Sequence, residues 1–557
     1  MKRNQKLIAL LVAMLLCITL VTSCKTKAPV VESPTASAPA ASQQPSQAPS
    51  TQPTPPSQTP PPVITNVVPE EAPKDVKFAD DINIVVTTQI SAINLYSPGG
   101  SNAACQMVYR CIFDRLLEYL GEGKFGPSLA KSYETSDYKT FVFHLRDDVY
   151  FSNGDKLTAQ DVLNTIQMGK DTKGVLANDY WRGVEAAEAP DAYTVKIVLN
   201  NVNVEFLYTM TMPSAGITNQ RAIEKDPEKG PWVGTGLFTV DTLAPGDFTK
   251  LVRNENYWGK PAPSKSLTFR IVSDTTARAI MMKNGEIQVC LELMPEDRKF
   301  FINNPDYSIA PVTNNNIWYI SFNMTAPITG DMNFRLALAH GINREEMMLA
   351  SLGGAAEGIV ETTGTIYGYA TEFRNEDIPL LPYDLNLAKD YLAKSEYKGE
   401  EIEVSFSVDL LSNAVEMLVY QLSQIGIPAK INKMDSAALS NYTFGEVNQS
   451  QLVVSTCSPS LTPLNYGAIV GGRGGLNRAS YNNPVVNDML AKGTSITDVK
   501  AREAHYRQIQ ELVSADIPYL SIFYRISNFV LAKGVGGQVF YNDLYHDFRY
   551  VYQTLDG

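Results

Sequence analysis

Histidine is scarce in this chain: His144, His340, His505 and His546 are the four among 557 residues, and no two lie close together. The local pairs that hold a catalytic zinc, or couple a nucleophile to a base, therefore have no source. HExxH, GxSxG and the phosphate-cradling GxxxxGK[ST] are absent, and the glycine-rich GGRGGLN (Gly471 to Asn477) lacks the lysine that a phosphate loop needs. The paired carboxylates Asp147–Asp148 and Glu345–Glu346 sit beside turns and helix starts, where capping or solvation explains them. An enzyme is not expected, nor a metal site, a catalytic residue or a cofactor. Basic charge is also short. Lys and Arg number 47 against 59 Asp and Glu, a net charge of −12 with no basic stripe, which excludes nucleic acid as a partner. Of six cysteines, two lie in the first 24 residues. The others, Cys105, Cys111, Cys290 and Cys457, have no CxxC or metal-type spacing and read as small core hydrophobes, with disulfides left open by the even count.

Long apolar runs are missing after the N-terminus. The one present, LIALLVAMLLCITL from Leu7 to Leu20, follows Lys2, Arg3 and Lys6. At 1.5 Å per residue it makes roughly 21 Å of helix, short of the ~30 Å hydrocarbon core, so it reads as a secretory signal segment over 1–23. The following VTSC resembles a bacterial lipobox, with Cys24 the lipidated new N-terminus and the membrane anchor. Residues 24–77 are then rich in Pro, Ser, Thr, Ala and Gln. Such a segment buries too little to fold and stays extended, with a reach on the order of 100 Å. It reads as a stalk that lifts a globular body off a membrane.

The body, 44% hydrophobic over the chain, has ample material for large cores. INIVVTT (Ile82 to Thr88) is a β-branched buried strand. CQMVYRCIFDRLLEYL (Cys105 to Leu120) has helical spacing at Val108, Cys111, Ile112, Leu116 and Tyr119. KTFVFHL and AYTVKIVLN are strands, Asn153–Gly154 a turn, and Thr158 with Asp161 a helix start close to a capping box. Arg335 opens a helix with Leu336, Ala339 and Ile342 on its apolar face. Glu503, Tyr506, Ile509, Gln510 and Val513 mark a last long helix that ends at Ile517–Pro518. Interleaved strands and helices give an α/β or mixed architecture.

Six blocks in order then resemble one family. SLAKSYETSDYKTFVFHLRDDVYFSNGDKLTAQDVLNTI, GTGLFTVDTLAPGDFTKLVRNENYWG, IVSDTTARAIMMKNGEIQV, YISFNMTAPITGDMNFRLALAHGINREEM, VYQLSQIGIPAKI and AREAHYRQIQELVSADIPYLSIFY are similar to segments of the peptide/nickel class of solute-binding proteins (family 5), the extracytoplasmic receptors of ABC importers. The resemblance spans about residues 80–550. It implies a bilobal periplasmic-binding-protein-like α/β fold of the type II, cluster C kind, with an extra subdomain inserted in lobe one. Lobe one would be 78–118, 226–318 and 515–557, the insert 119–225 and lobe two 319–514, closing on a ligand by hinge motion. It further implies a monomer that delivers a small solute, most usually a peptide, to permease subunits with cytoplasmic ATPases; with the lipid at Cys24 and the stalk, a Gram-positive-type cell surface is expected rather than a periplasm.

One stretch complicates the ligand. Val447 to Gly472 runs for 26 residues with no charged side chain, in a chain that is 19% charged. Gln451 to Ser455 reads as a buried strand. In peptide-binding members the region before NRASYNNPVVNDML carries a motif like W-x-A-D, whose Asp pairs with the peptide's ammonium. Here Thr456 falls at the Trp, Ser458 at the Ala and Pro459 at the Asp, and no acid lies between Glu446 and Asp488. Either another acid of the cleft takes an ammonium, or the ligand is a sugar, amide or anionic metabolite held by neutral groups. Thr456, Cys457, Ser458, Ser460, Asn465 and Tyr466 are candidates, with Arg473 for an anion and Trp181, Trp232 and Trp318 for stacking, whereas Trp258 reads as scaffold. A lipoprotein that senses or adheres without feeding a permease remains a third reading.

Overall fold

The computed structural model describes residues 69–121, 123–351, 359–369, 371–407, 411–458, 462–472, 475–542 and 545–555. Cys24, the stalk before Pro69, Pro459, Ser460 and Arg473 lie outside the described residues.

Two long antiparallel strands, Tyr307–Phe322 and Tyr519–Ala532, run through the middle of the main sheet. On one side the order continues through Leu452–Cys457, Ile402–Phe406 and Ala429–Lys433. On the other it continues through Val289–Cys290, Asp81–Val86, Ser266–Ile271, Phe248–Arg253 and Phe238–Ala244. Asp81–Val86 pairs in parallel with strands on both sides, and its Ile82, Ile84, Val85 and Val86 are all buried. Each half of the sheet has its own core. Ile82, Ile84, Phe269 and Leu531 belong to one; Ile320, Phe322, Val404 and Leu452 belong to the other. The fold is mixed α/β and bilobal.

A separate four-stranded sheet is built from Ala130–Glu134, Thr140–Leu145, Thr194–Leu199 and Val184–Asp191. It packs around Phe141, Phe143, Ile197 and Trp181. Its helix Ala159–Asp171 carries the capping box expected at Thr158 and Asp161, with the Thr158 N–H donating to Asp161 at 2.9 Å. Gly154 takes φ +89° in the expected turn. The long helix Val499–Asp516 buries the five expected residues, and Ile517 ends it at φ 47°.

Two expectations need correction. The helix after Ala103 stops at Ile112 rather than running to Leu120, and Leu117–Tyr119 is a strand. Tertiary contacts override the periodicity: Asp114 is fully buried and accepts from Thr235 Oγ1 at 3.1 Å and Trp258 Nε1 at 2.9 Å, partners it meets only outside the helix. The second helix begins at Met332, capped by Asp331, so Arg335 lies inside it. Its buried side is Phe334, Ala337 and Leu338 with Ala339. Arg335 reaches the Asp516 carbonyl at 3.0 Å.

The GTG of the second block has a physical reason. A Cβ on Gly234 would lie 1.9 Å from the Ile112 carbonyl oxygen, and one on Gly236 would lie 2.5 Å from Cys111 O. Gly234→Ala and Gly236→Ala should each lower the unfolding free energy by about 3 kcal/mol. Gly183→Ala, where no atom lies within 4 Å of the new Cβ, should leave it nearly unchanged. Urea unfolding of the three variants checks this; equal midpoints would contradict it.

Candidate functional site

Along Tyr519–Ala532 the pairing slips between Trp318 and Tyr319, so that one residue, Ile522, is extra on the second strand. A one-residue bulge exchanges the two faces of a strand. From there Phe523, Arg525, Ser527, Phe529 and Leu531 share a face. Phe523 is in one core, Phe529 and Leu531 are in the other, and Arg525 and Ser527 lie between them. On the partner strand Val312, Asn316 and Trp318 follow the same course. A polar interval between two apolar cores on one face needs something other than core to meet it. What meets it is a cavity of about 340 Å³.

That cavity is lined from both sides. Thr87, Thr88, Ala103, Met107, Leu291, Glu292, Phe529 and His546 come from one half of the molecule. Trp318, Leu411 and Thr456 come from the other, and Asn316, Arg525 and Ser527 from the middle of the crossing strands. Its floor is a second break in register, where residues 314–316 face Arg525 alone. Asn542 makes up for the interrupted ladder: its carbonyl accepts from the Asn315 N–H at 2.7 Å, and its amide donates to the Thr313 carbonyl.

Two ionised side chains line the cavity, and they are paired. Arg525 Nη1 lies 2.9 Å from Glu292 Oε1, which also accepts from Ser527 Oγ at 3.2 Å. Glu292 holds φ 68°, a region that residues with a side chain rarely adopt. His546 is neutral. Its Nδ1 accepts from the Tyr541 N–H at 3.1 Å, and burial, helped by Arg110, pushes the ring down to about 3. Behind it stands a buried charge cluster. Arg549 forks onto Asp547 at 2.7 Å and reaches Glu118 at 2.7 Å, and Arg115 also holds Glu118. Burial alone would raise Glu118, but Arg115 and Arg549 hold it well below the usual carboxylate range. Asp114, buried beside them, is raised by its burial.

The sequence-expected residues are dispersed. Thr456 and Trp318 are cross-strand partners and both line the cavity. Ser458 accepts from Asn316 Nδ2 at 3.1 Å. Cys457 points to the opposite face, packed with the cluster around Tyr466, and burial pushes its thiol up to about 12. Tyr466 is buried in that cluster against Tyr367, and Asn465 ends a short 3₁₀ turn. Trp181 is fully buried in the four-stranded sheet's core. Trp232 is half-buried under Lys229 at the edge of another core. Neither of these two is among the cavity's lining residues. Trp258 is scaffold, donating to Asp114 and covered by Arg146 at 4.5 Å. The four cysteines of the body are free thiols.

Glu292, Arg525, Asn316 and His546 were not singled out from sequence. Arg525 did carry a signal, as the lone charge in YLSIFYRISNFVLA.

The neutral His546 has a measurable consequence. The unfolded ring titrates near 6.5 and the folded one at about 3. Below pH 6.5 the unfolded chain gains a proton that the fold refuses, so stability falls on acidification by up to ~1.4 kcal/mol per pH unit until about pH 3. His546→Asn keeps an acceptor for Tyr541 and should lose this component. Between pH 6.5 and 4.5 its urea midpoint should fall less than that of the parent; parallel slopes would contradict the assignment.

Residues 124–463 match the family described as bacterial extracellular solute-binding proteins, family 5. The glutathione-binding protein GsiB of Escherichia coli K12 is 25% identical over 466 residues, 80% of this chain and 89% of that protein. Among solved structures, Helicobacter pylori DppA in complex with peptide STSA superposes with a TM-score of 0.75 at 22% identity, covering 86% of this chain and 99% of that one. Staphylococcus aureus NikA in complex with Ni(L-His)2 gives 0.71 at 19%, covering 85% and 100%. The matched residues make up more than half of the chain, so this chain belongs to the bacterial extracellular solute-binding proteins, family 5, receptors rather than enzymes that serve ABC permeases outside the cytoplasm.

Proposed function

We propose that the protein is a lipid-anchored receptor that captures a small solute between its lobes and passes it to an ABC import permease. The observation that carries this reading is the 340 Å³ cavity, lined from both halves of the sheet and floored by the register break in the strands that join them. Such breaks are where a two-stranded connection bends most easily. Lobe one is assigned to 78–118, 226–318 and 515–557, lobe two to 319–514, and 119–225 to an insert that contains the separate four-stranded sheet. Cys24 is assigned as the lipidated residue, with 24–77 as the tether.

The solute is assigned to amino-acid chemistry, the peptide class in the broad sense. Among the similar proteins GsiB is named for glutathione, DppA was solved with peptide STSA and NikA with Ni(L-His)2. The cavity offers this protein an acid, Glu292, in place of the one missing at Pro459. A sugar or amide ligand is the second reading, favoured by the uncharged Thr456 side of the cavity.

The full chain, purified in detergent, should gain thermal stability on screening against amino acids, short peptides, oligosaccharides and amines. A solute at 100 times its Kd adds about 2.7 kcal/mol. A flat profile across the whole screen, together with normal solute uptake in a strain lacking the protein, would refute the receptor reading. Cys24→Ser should move the protein from the membrane to the soluble fraction and abolish incorporation of labelled palmitate; retention in the membrane would refute the anchor.

A further inference from the structure

The cavity's acid and base are net neutral as a pair, and that decides which charged ligands they favour. A bare ammonium beside Glu292 also meets Arg525, 2.9 Å from the same carboxylate, so most of its attraction is cancelled. A bare carboxylate at Arg525 meets Glu292 in the same way. A ligand that brings both charges on neighbouring atoms escapes the cancellation, because each of its charges faces the opposite member of the pair.

Both members have capacity left for such a ligand. Glu292 uses Oε1 for Arg525 and Ser527, and Oε2 makes no hydrogen bond to a described residue. Arg525 commits Nη1, which leaves the rest of its planar fork for a carboxylate. The pair is not a buried structural bridge: the Glu292 side chain is 28% exposed and Arg525 11%. The backbone at Glu292 is bent into the left-handed region, and its neighbours pin it there. The Leu291 carbonyl accepts from Arg278 at 3.0 Å, and Leu293 is buried. Departures of this kind cluster at ligand clamps, where the surrounding structure holds them. The walls around the pair are mixed, with Met107, Trp318 and Phe529 available to an apolar side chain, and the neutral His546 ring has Nε2–H as a donor.

We propose that the Glu292–Arg525 pair is a head-group site for an α-amino acid whose ammonium and carboxylate are both free on one carbon. Its ligands are single amino acids, or short peptides linked through a side-chain carboxyl, in preference to ordinary α-linked peptides. In an α-linked peptide the carboxyl next to the ammonium is consumed in the amide, so the ligand brings no neighbouring negative charge to face Arg525. The volume, near the low end of the ~300–1,000 Å³ usual for small-molecule sites, fits a short ligand. The inference rests on reading the cavity as the solute site.

Titration calorimetry on the full chain in detergent tests it with five kinds of probe: each free amino acid, its N-acetyl form, its α-amide, and the matched γ-glutamyl and α-linked dipeptides. At least one free amino acid or γ-glutamyl dipeptide should bind. Acetylating the ammonium or amidating the carboxylate should each weaken it about 10- to 100-fold. Glu292→Gln should erase most of the difference between the free and acetylated forms, and Arg525→Gln most of the difference between the free and amidated forms. The ligand-side comparisons need no variant, so they stand even where a substitution disturbs folding. Equal affinity for acetylated and free forms, or tighter binding of α-linked dipeptides, would overturn the head-group site and leave the receptor reading intact. Absence of binding by every probe and by the wider solute screen would overturn both.

Discussion

The pairing of two strands, Tyr307–Phe322 with Tyr519–Ala532, is the constraint on which the rest of this molecule depends. Each strand is long enough to serve two cores, and each core supplies one half of the sheet with its apolar face. A regular ladder of that length would bury one face from end to end and leave no room for polar side chains on it. The two departures from register prevent this. The extra residue near Ile522 brings Phe523 onto the face of Leu520, and alternation then carries Arg525, Ser527 and Phe529 along that same face. The three-against-one break at 314–316 loosens the backbone beside them. A break of this size leaves amide groups without ladder partners, which is costly in a buried place. Asn542 offsets part of that cost from a different part of the chain, by taking the Asn315 N–H and supplying a donor to the Thr313 carbonyl.

Behind the cavity wall the charge cluster of Glu118, Asp547, Arg549 and Arg115 has a positioning role. Buried ion pairs seldom add net stability, since desolvation offsets their attraction. They do fix geometry, because each charge tolerates few arrangements. Arg549 joins Glu118, which follows the first helix, to Asp547, which is adjacent to His546. Arg110 from that same helix lies 4.6 Å over the Tyr541 ring, and the Tyr541 N–H holds His546. The ring at the cavity edge is thus located by contacts to elements over 400 residues apart in sequence, and burial keeps it uncharged.

What was legible in the sequence was what local chemistry decides. Thr158 and Asp161 cap a helix because the residues they need lie within one turn, and the buried stripe of Val499–Asp516 follows from period alone. The GTG was recognisable as a motif, although its cause, the Ile112 backbone pressed against both glycines, is a tertiary contact. Where a residue's role depends on distant partners, local reading went astray. The spacing that extends to Tyr119 is helical, yet Asp114 finds its partners only off the helix. Trp181 and Trp232 carried rings suited to stacking, but their positions were set by cores elsewhere in the fold. Thr456, notable for its motif position, and Trp318, notable for its aromatic ring, lie far apart in sequence and are cross-strand neighbours. Glu292 was invisible because its role turns on a single backbone angle and on a bulge in a strand more than two hundred residues away.

The uncharged stretch from Val447 to Gly472 now has a counterpart. Charge in the cavity lies on the Val289–Cys290 side and on the crossing strand paired with it, so Glu292 and Arg525 belong to hydrogen-bonded neighbours and move together. The described part of the neutral stretch that faces them is the Leu452–Cys457 strand and its Thr456. If the halves part about the register break, the charged pair stays assembled on one side, ready to take a charged head group from water. The opposing surface then closes over the remainder of the ligand without stripping water from any charge of its own. Desolvating a carboxylate at that step would tax closure by several kcal/mol unless the ligand matched it. A neutral closing face avoids that penalty and tolerates variation in the ligand beyond its head. On the proposed head-group site, this division of labour would let one side of the cleft read charge through Glu292 and Arg525 while the uncharged Thr456 side reads shape.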